Sequence, residues 1–129
     1  MSQENFKGGF RELDVWKEAR EFRKSMSTLA KTFPDSEKYK LTNQLVRASS
    51  SISANIAEGY GRYHYQENIQ SCRQARGSLM ECLDHLICAL DEKYINEKTF
   101  SEFESHYTKI LKMLNGYIAY LKKRKEEDN

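Results

Sequence analysis

The chain has 129 residues, 39% hydrophobic and 31% charged, with six glycines and one proline; that supports one domain around one core and excludes a collagen-like or turn-rich all-β chain. A net charge of +2, from 21 basic and 19 acidic residues, gives no general attraction to nucleic acid, so any such binding needs local clustering. No apolar run approaches about eighteen residues and the opening MSQENFKGGF carries no apolar signal region, so neither membrane spanning nor secretion is expected.

Apolar residues at helical spacing predict four helices in chain order. The first covers about residues 14–31, with Val15, Ala19, Phe22, Met26, Leu29 and Phe33 on one face and Pro34 as its stop. The second runs from about residue 37 or 39 to 60 on the stripe Leu41, Leu45, Ala48, Ile52 and Ile56, with Gly59 and Gly61 as end signals. The third, about 65–93, carries Ile69, Cys72, Leu79, Leu83, Leu86 and Leu90. The fourth starts near Asn96, a candidate N-cap, and carries Phe100, Phe103, Tyr107, Ile110, Leu114, Ile118 and Leu121. Short connections place sequential helices antiparallel, so the expected fold is all-α: an up-down-up-down antiparallel four-helix bundle over residues 13–122. A flexible arm (1–12) and a charged tail (123–129) are expected to flank it.

A polar row on the second helix is the most informative feature. Gln44, Arg47, Ser51, Asn55, Glu58 and Arg62 fall within an arc of roughly 80°, centred about 90° from the apolar stripe. Gln, Ser and Asn bind through defined donor and acceptor geometry, unlike the interchangeable Lys and Glu of a solvated face. Small residues between them admit another backbone. On the third helix Arg76 projects at the angle of the apolar stripe and calls for a carboxylate, Glu58 first and Glu81 second. Gly77 beside it implies a close packing contact. The network is expected to fix helix register or to face another subunit. A ligand or catalytic pocket of Arg47, Asn55, Glu58 and Arg76 is the competing reading.

Leu13 and Trp16, by angular count, lie off the core stripe of the first helix beside Arg20 and Arg23. They are the expected anchors of an oligomer interface, with packing of Trp16 on the N-terminal arm as the alternative. Met113 and Tyr120 also lie off the core face of the fourth helix, so self-association is expected. In the turn GYGRYHYQ, Tyr60, Tyr63, His64 and Tyr65 surround Arg62. They suit either capping of the helix ends or stacking on bases. Lys122, Lys123, Arg124 and Lys125 could touch phosphates, though acids follow at once and a solvated helix end explains the same residues.

Signals for chemistry are missing. The chain has no GxGxxG, phosphate-binding loop, HExxH or nucleophile elbow. His64, His85 and His106 are isolated, and Glu81 with His85 lacks the Glu-x-x-His spacing and further acids of a di-iron bundle. Cys72, Cys82 and Cys88 are odd in number and lack CxxC spacing, which reads as free thiols in a reducing cytoplasm. No enzyme, metal or cofactor is expected.

LDVWKEAR (13–20), QLVRASSSISANIAEGYGR (44–62) and ARGSLMECL (75–83) resemble the four-helix-bundle family encoded by intervening sequences in bacterial large-subunit ribosomal RNA genes. The similarity covers about residues 10–122 at the spacing typical of that family. Ser53 departs from it, standing where many members carry proline. The resemblance implies a left-handed up-down bundle assembling into a ring-like homopentamer. The family is also similar to the accessory protein of diversity-generating retroelements, a pentamer that binds nucleic acid and a reverse transcriptase. Gln44, Arg47, Ser51, Asn55, Glu58, Arg62, Arg76 and Glu81 match its signature. The expected function is a non-enzymatic, self-associating scaffold. The alternative is an RNA-binding oligomer using Arg20, Arg23, Arg62 and the basic run 122–125, repeated around a ring.

Overall fold

The computed structural model describes residues 8–128. Among these residues there are four α-helices, α1 (Asp14–Ala30), α2 (Leu41–Gly61), α3 (Tyr65–Asp91) and α4 (Glu97–Asp128), and no strands. They form the four-helix bundle that the apolar periodicity predicts. Neighbours run antiparallel, as paired residues make plain: Ser51 on α2 meets Ser78 on α3, whereas further along α2 Gly59 meets Asn68 and Ser71. Likewise Asn68 meets Tyr117 and Arg76 meets Asn115 across α3 and α4, and Glu18 meets His106 across α1 and α4.

The core is built from the predicted stripes. Phe22 and Met26 of α1, Leu45, Ile52 and Ile56 of α2, Ile69, Leu79 and Leu86 of α3, and Ile110, Leu114 and Leu121 of α4 are fully buried. Removal of this apolar surface from water is the main force holding the helices together. Local chemistry sets the boundaries. Pro34 ends the segment after α1 and leads a 3-10 turn, Asp35–Glu37, that separates α1 from α2. Asn96 caps α4 by accepting the amide of Thr99 at 2.8 Å. Tyr63 and Lys93, with φ of 59° and 64°, take left-handed backbone in the turns leaving α2 and α3.

Several expectations need correction. The segment expected as a flexible arm is ordered from residue 8: Gly9–Glu12 form a 3-10 turn whose Phe10 ring packs edge-on against Trp16 at 5.1 Å. The rest of that arm, residues 1–7, and Asn129 of the tail lie outside the described residues. Most of the tail is helical, because α4 continues to Asp128. Its extra turns are docked on the start of antiparallel α3, where Lys125 donates to Gln66 at 2.6 Å. Arg124 bonds the Tyr65 hydroxyl, which with the nearby charge holds its guanidinium protonated beyond its ordinary value. Gly59 does not stop α2. It lies inside the helix and permits a close helix crossing: a Cβ there would sit 2.7 Å from Asn68 Oδ1 and 2.8 Å from Ser71 Cβ. Gly77, expected at such a contact, faces open space. Ser53 is buried within an unbroken α2.

Leu13 is not an exposed anchor. It precedes α1 with extended backbone (φ −75°, ψ 122°) and is only 8% exposed. Angular counting at 100° per residue applies inside a helix, so it misplaces a residue one step outside.

Candidate functional site

The polar row of α2 opens onto the groove between α2 and α3. Asn43, Gln44, Arg47, Ala48, Ser51, Ser78 and Glu81 line about 330 Å³ there. At its floor the Ser78 hydroxyl donates to Ser51 Oγ at 2.9 Å, and one turn further along α2 Asn55 Nδ2 donates to the carbonyl of Ser51 at 2.8 Å and to its hydroxyl at 2.9 Å. Ser51, Asn55 and Ser78 are half-buried; the Ser78–Ser51 bond crosses between the two helices and pins their register, while the Asn55 bonds lie within α2 and hold Ser51 in place. Gln44, Arg47 and Glu81 are exposed above this floor, leaving a rim of one amide, one cation and one carboxylate. Ser78 is the member that periodicity missed. Its place two residues after Arg76 in the matched segment ARGSL was the available signal.

The structure does not bring Glu58 and Arg76 together. Arg76 turns toward α4, where Nη1 donates to Asn115 Oδ1 at 2.8 Å. It is half-buried and keeps access to water, so a neutral carbonyl suffices and no carboxylate is needed. Glu58 instead accepts from Arg62 at 3.2 Å one turn along α2, and Glu81 pairs with His85 at 3.2 Å one turn along α3. The competing pocket of Arg47, Asn55, Glu58 and Arg76 therefore does not converge.

The basic candidates are dispersed. The Arg20 guanidinium lies 5.9 Å from the centre of the Trp16 ring, a cation–π contact. Arg23 lines a groove between α1 and α2 with Lys24, Ser27, Ser49 and Ser50. Arg62 and Arg124 are engaged by Glu58 and Glu127. Lys123 is exposed, whereas Lys122 and Lys125 line a cleft against the start of α3 together with Arg73, which the sequence reading did not single out. In the tyrosine-rich turn Tyr60 and Tyr65 are buried, packing across the bundle end, while Tyr63 is 52% exposed.

Other titratable groups are tied to packing. The His106 hydrogen bond to Glu18 (2.9 Å), aided by Lys109 (3.2 Å), holds the Glu18 carboxyl below its ordinary value although burial opposes this. Burial pushes the Cys72 and Cys82 thiols up to about 12, with the Glu81 charge adding at Cys82. Protonated thiols of this kind are poor nucleophiles and poor metal ligands. Among the described residues no group of three or more His, Cys, Asp and Glu is arranged to hold a metal ion, and no helix is long and apolar enough to cross a membrane.

Comparison with known proteins gives this architecture a family. In the crystal structure at 1.70 Å of a Bacteroides thetaiotaomicron protein of unknown function from the S23 ribosomal protein family, 95% of the chain aligns with 81% of this one. The TM-score is 0.76 at 24% identity, a likeness of fold. No curated protein matches the chain. The family model described as 23S rRNA-intervening sequence protein matches residues 11–116. That span takes in the grooved face of α2, the α3 segment opposite it and most of α4, and the chain therefore belongs to the 23S rRNA-intervening sequence protein family.

Proposed function

We propose that the chain is a non-enzymatic scaffold that self-associates in the cytoplasm, as a homopentamer in line with the family resemblance. The observation that carries this reading is the outer face of α3. Met80 and Ile87, seven residues apart and so nearly superposed along the helix, are 44% and 41% exposed. Two large apolar side chains stacked on one helix face favour burial against another protein surface. The polar groove of α2 and α3 lies on the same pair of helices, and its rim of Gln44, Arg47 and Glu81 suits the setting of contact geometry. Protonated, buried thiols and carboxylate-bound His85 and His106 support a structural rather than a catalytic role. Light scattering on the purified chain tests the reading: the expected mass is a multiple of 15.2 kDa, and a strict monomer at micromolar concentration overturns it.

A second reading, binding of RNA by the assembled chain, is supported by the exposed Lys122 and Lys123 and the adjoining Lys125 on the last turns of α4. Repetition around an oligomer would multiply a modest charge per chain. Its signature is binding of structured RNA that weakens steeply between low and moderate salt. Absence of salt-sensitive binding at low ionic strength removes it.

A further inference from the structure

Where α3 begins and α4 ends, Gln66, Ile69, Arg73, Lys122, Lys125 and Glu126 line an open cleft of about 320 Å³. Three of these six side chains are cations, contributed by two helices, against one carboxylate. Ile69 is 1% exposed and forms an apolar floor. Lys125 is held by Gln66 Oε1 at 2.6 Å, a neutral acceptor that positions the ammonium without cancelling its charge.

Convergence of three cations from two helices on one concavity marks this cluster. Lys24, Arg62, Lys109 and Arg124 each have a carboxylate within ion-pair distance. Among the described residues Arg73, Lys122 and Lys125 have none, Glu126 included. Like charges gathered in one concavity repel, and a bound anion relieves that repulsion. Arg73 supplies a planar fork, the two lysines supply point charges, and the positive end of the 27-residue α3 lies alongside. A tetrahedral anion with several acceptor oxygens matches this donor set, and the cleft's volume falls at the low end of that of small-ligand sites.

We propose that this cleft binds a phosphate group, carried either by a free nucleotide or by a nucleic-acid strand. Arg73 grips two oxygens, Lys122 and Lys125 neutralise the charge, and Ile69 forms the apolar floor beneath it. The site is complete within one chain. It therefore stands independently of self-association, and a free nucleotide would fill it even if no polymer binds.

Titration of the full chain with inorganic phosphate, then adenosine monophosphate, then a single-stranded RNA, followed by amide chemical shifts and calorimetry, tests this. Adenosine monophosphate is expected to bind saturably, one per chain, shifting amides in the first turns of α3 and the last turns of α4. The pair Arg73→Gln and Lys122→Gln is expected to weaken binding about tenfold or more. Lys98→Gln with Lys112→Gln removes the same charge elsewhere on α4 and is expected to leave it unchanged. RNA binding far tighter than the mononucleotide, and lost with the first pair, identifies a strand as the phosphate source. RNA binding no tighter identifies a free nucleotide. Failure of both phosphate and adenosine monophosphate to saturate at about 10 mM overturns the proposal, as does equal weakening by the control pair, which would mean diffuse charge without a site.

Discussion

The absence of one methyl group sets how closely α2 and α3 approach. The space a Cβ would need at Gly59 is filled by Asn68 and Ser71, and Asn68 cannot retreat because it is fully buried and bonded to Tyr117 at 3.2 Å and to Cys72 at 3.5 Å. Gly59→Ala should therefore destabilise the fold by about 1–3 kcal/mol through overpacking. Gly77→Ala, with open space around it, should instead stabilise by up to about 1 kcal/mol from helix propensity. Denaturant midpoints of the two variants should move in opposite directions. Tyr117→Phe tests the same locality: it leaves the buried amide nitrogen of Asn68 without its acceptor and should cost about 1–3 kcal/mol by the same measurement. Sequence reading assigned the close contact to Gly77 and took Gly59 for an end signal of α2. A glycine inside a helix signals only that its own side chain is missing, and whether a neighbouring backbone fills the gap depends on which residue of α3 arrives opposite.

Among the four elements, α1 and α4 are joined by a charged tie that periodicity could not reveal. Glu18 accepts from His106 and Lys109, and the His106 ring packs edge-on against Phe22 at 5.4 Å. Because the folded state holds the Glu18 carboxyl below its ordinary value of 4.5, the stabilisation is present above that value and is lost as pH falls through the lower folded value. Urea midpoints measured from neutral pH downward should fall more steeply for the wild type than for Glu18→Gln, which has no ionisable group to protonate there. Parallel profiles would show that the tie adds nothing at this site. The end of α1 and the start of α4 were legible, since Pro34 follows the first apolar stripe and the Asn96 cap opens the last. The end of α4 was not. Its run of lysines reads as solvated by composition, and only the antiparallel arrival of Tyr65 and Gln66 gives Arg124 and Lys125 partners.

At the scale of the molecule, the bundle was readable because burial of one stripe per helix leaves few ways to pack four short-linked helices. The surface was less so, because a side chain's partner depends on the tilt and rotation of the helix facing it. Arg76 found Asn115 instead of Glu58, and Leu13 turned inward, so the expected anchors of assembly split into one core residue and one half-buried ring. This separation yields the sharpest test of self-association. Leu13→Ala removes a buried side chain and should lower the unfolding free energy by about 2–5 kcal/mol, leaving the mass of the folded species unchanged. Ile87→Lys alters a side chain that is 41% exposed and should leave helical content intact while shifting the mass toward the single chain, since a lysine ammonium resists burial in an apolar contact. Light scattering and thermal unfolding on both variants separate the two effects. If Ile87→Lys keeps the full mass while Leu13→Ala dissociates the assembly without unfolding it, the outer face of α3 is not the contact, and the entry to α1 regains that role.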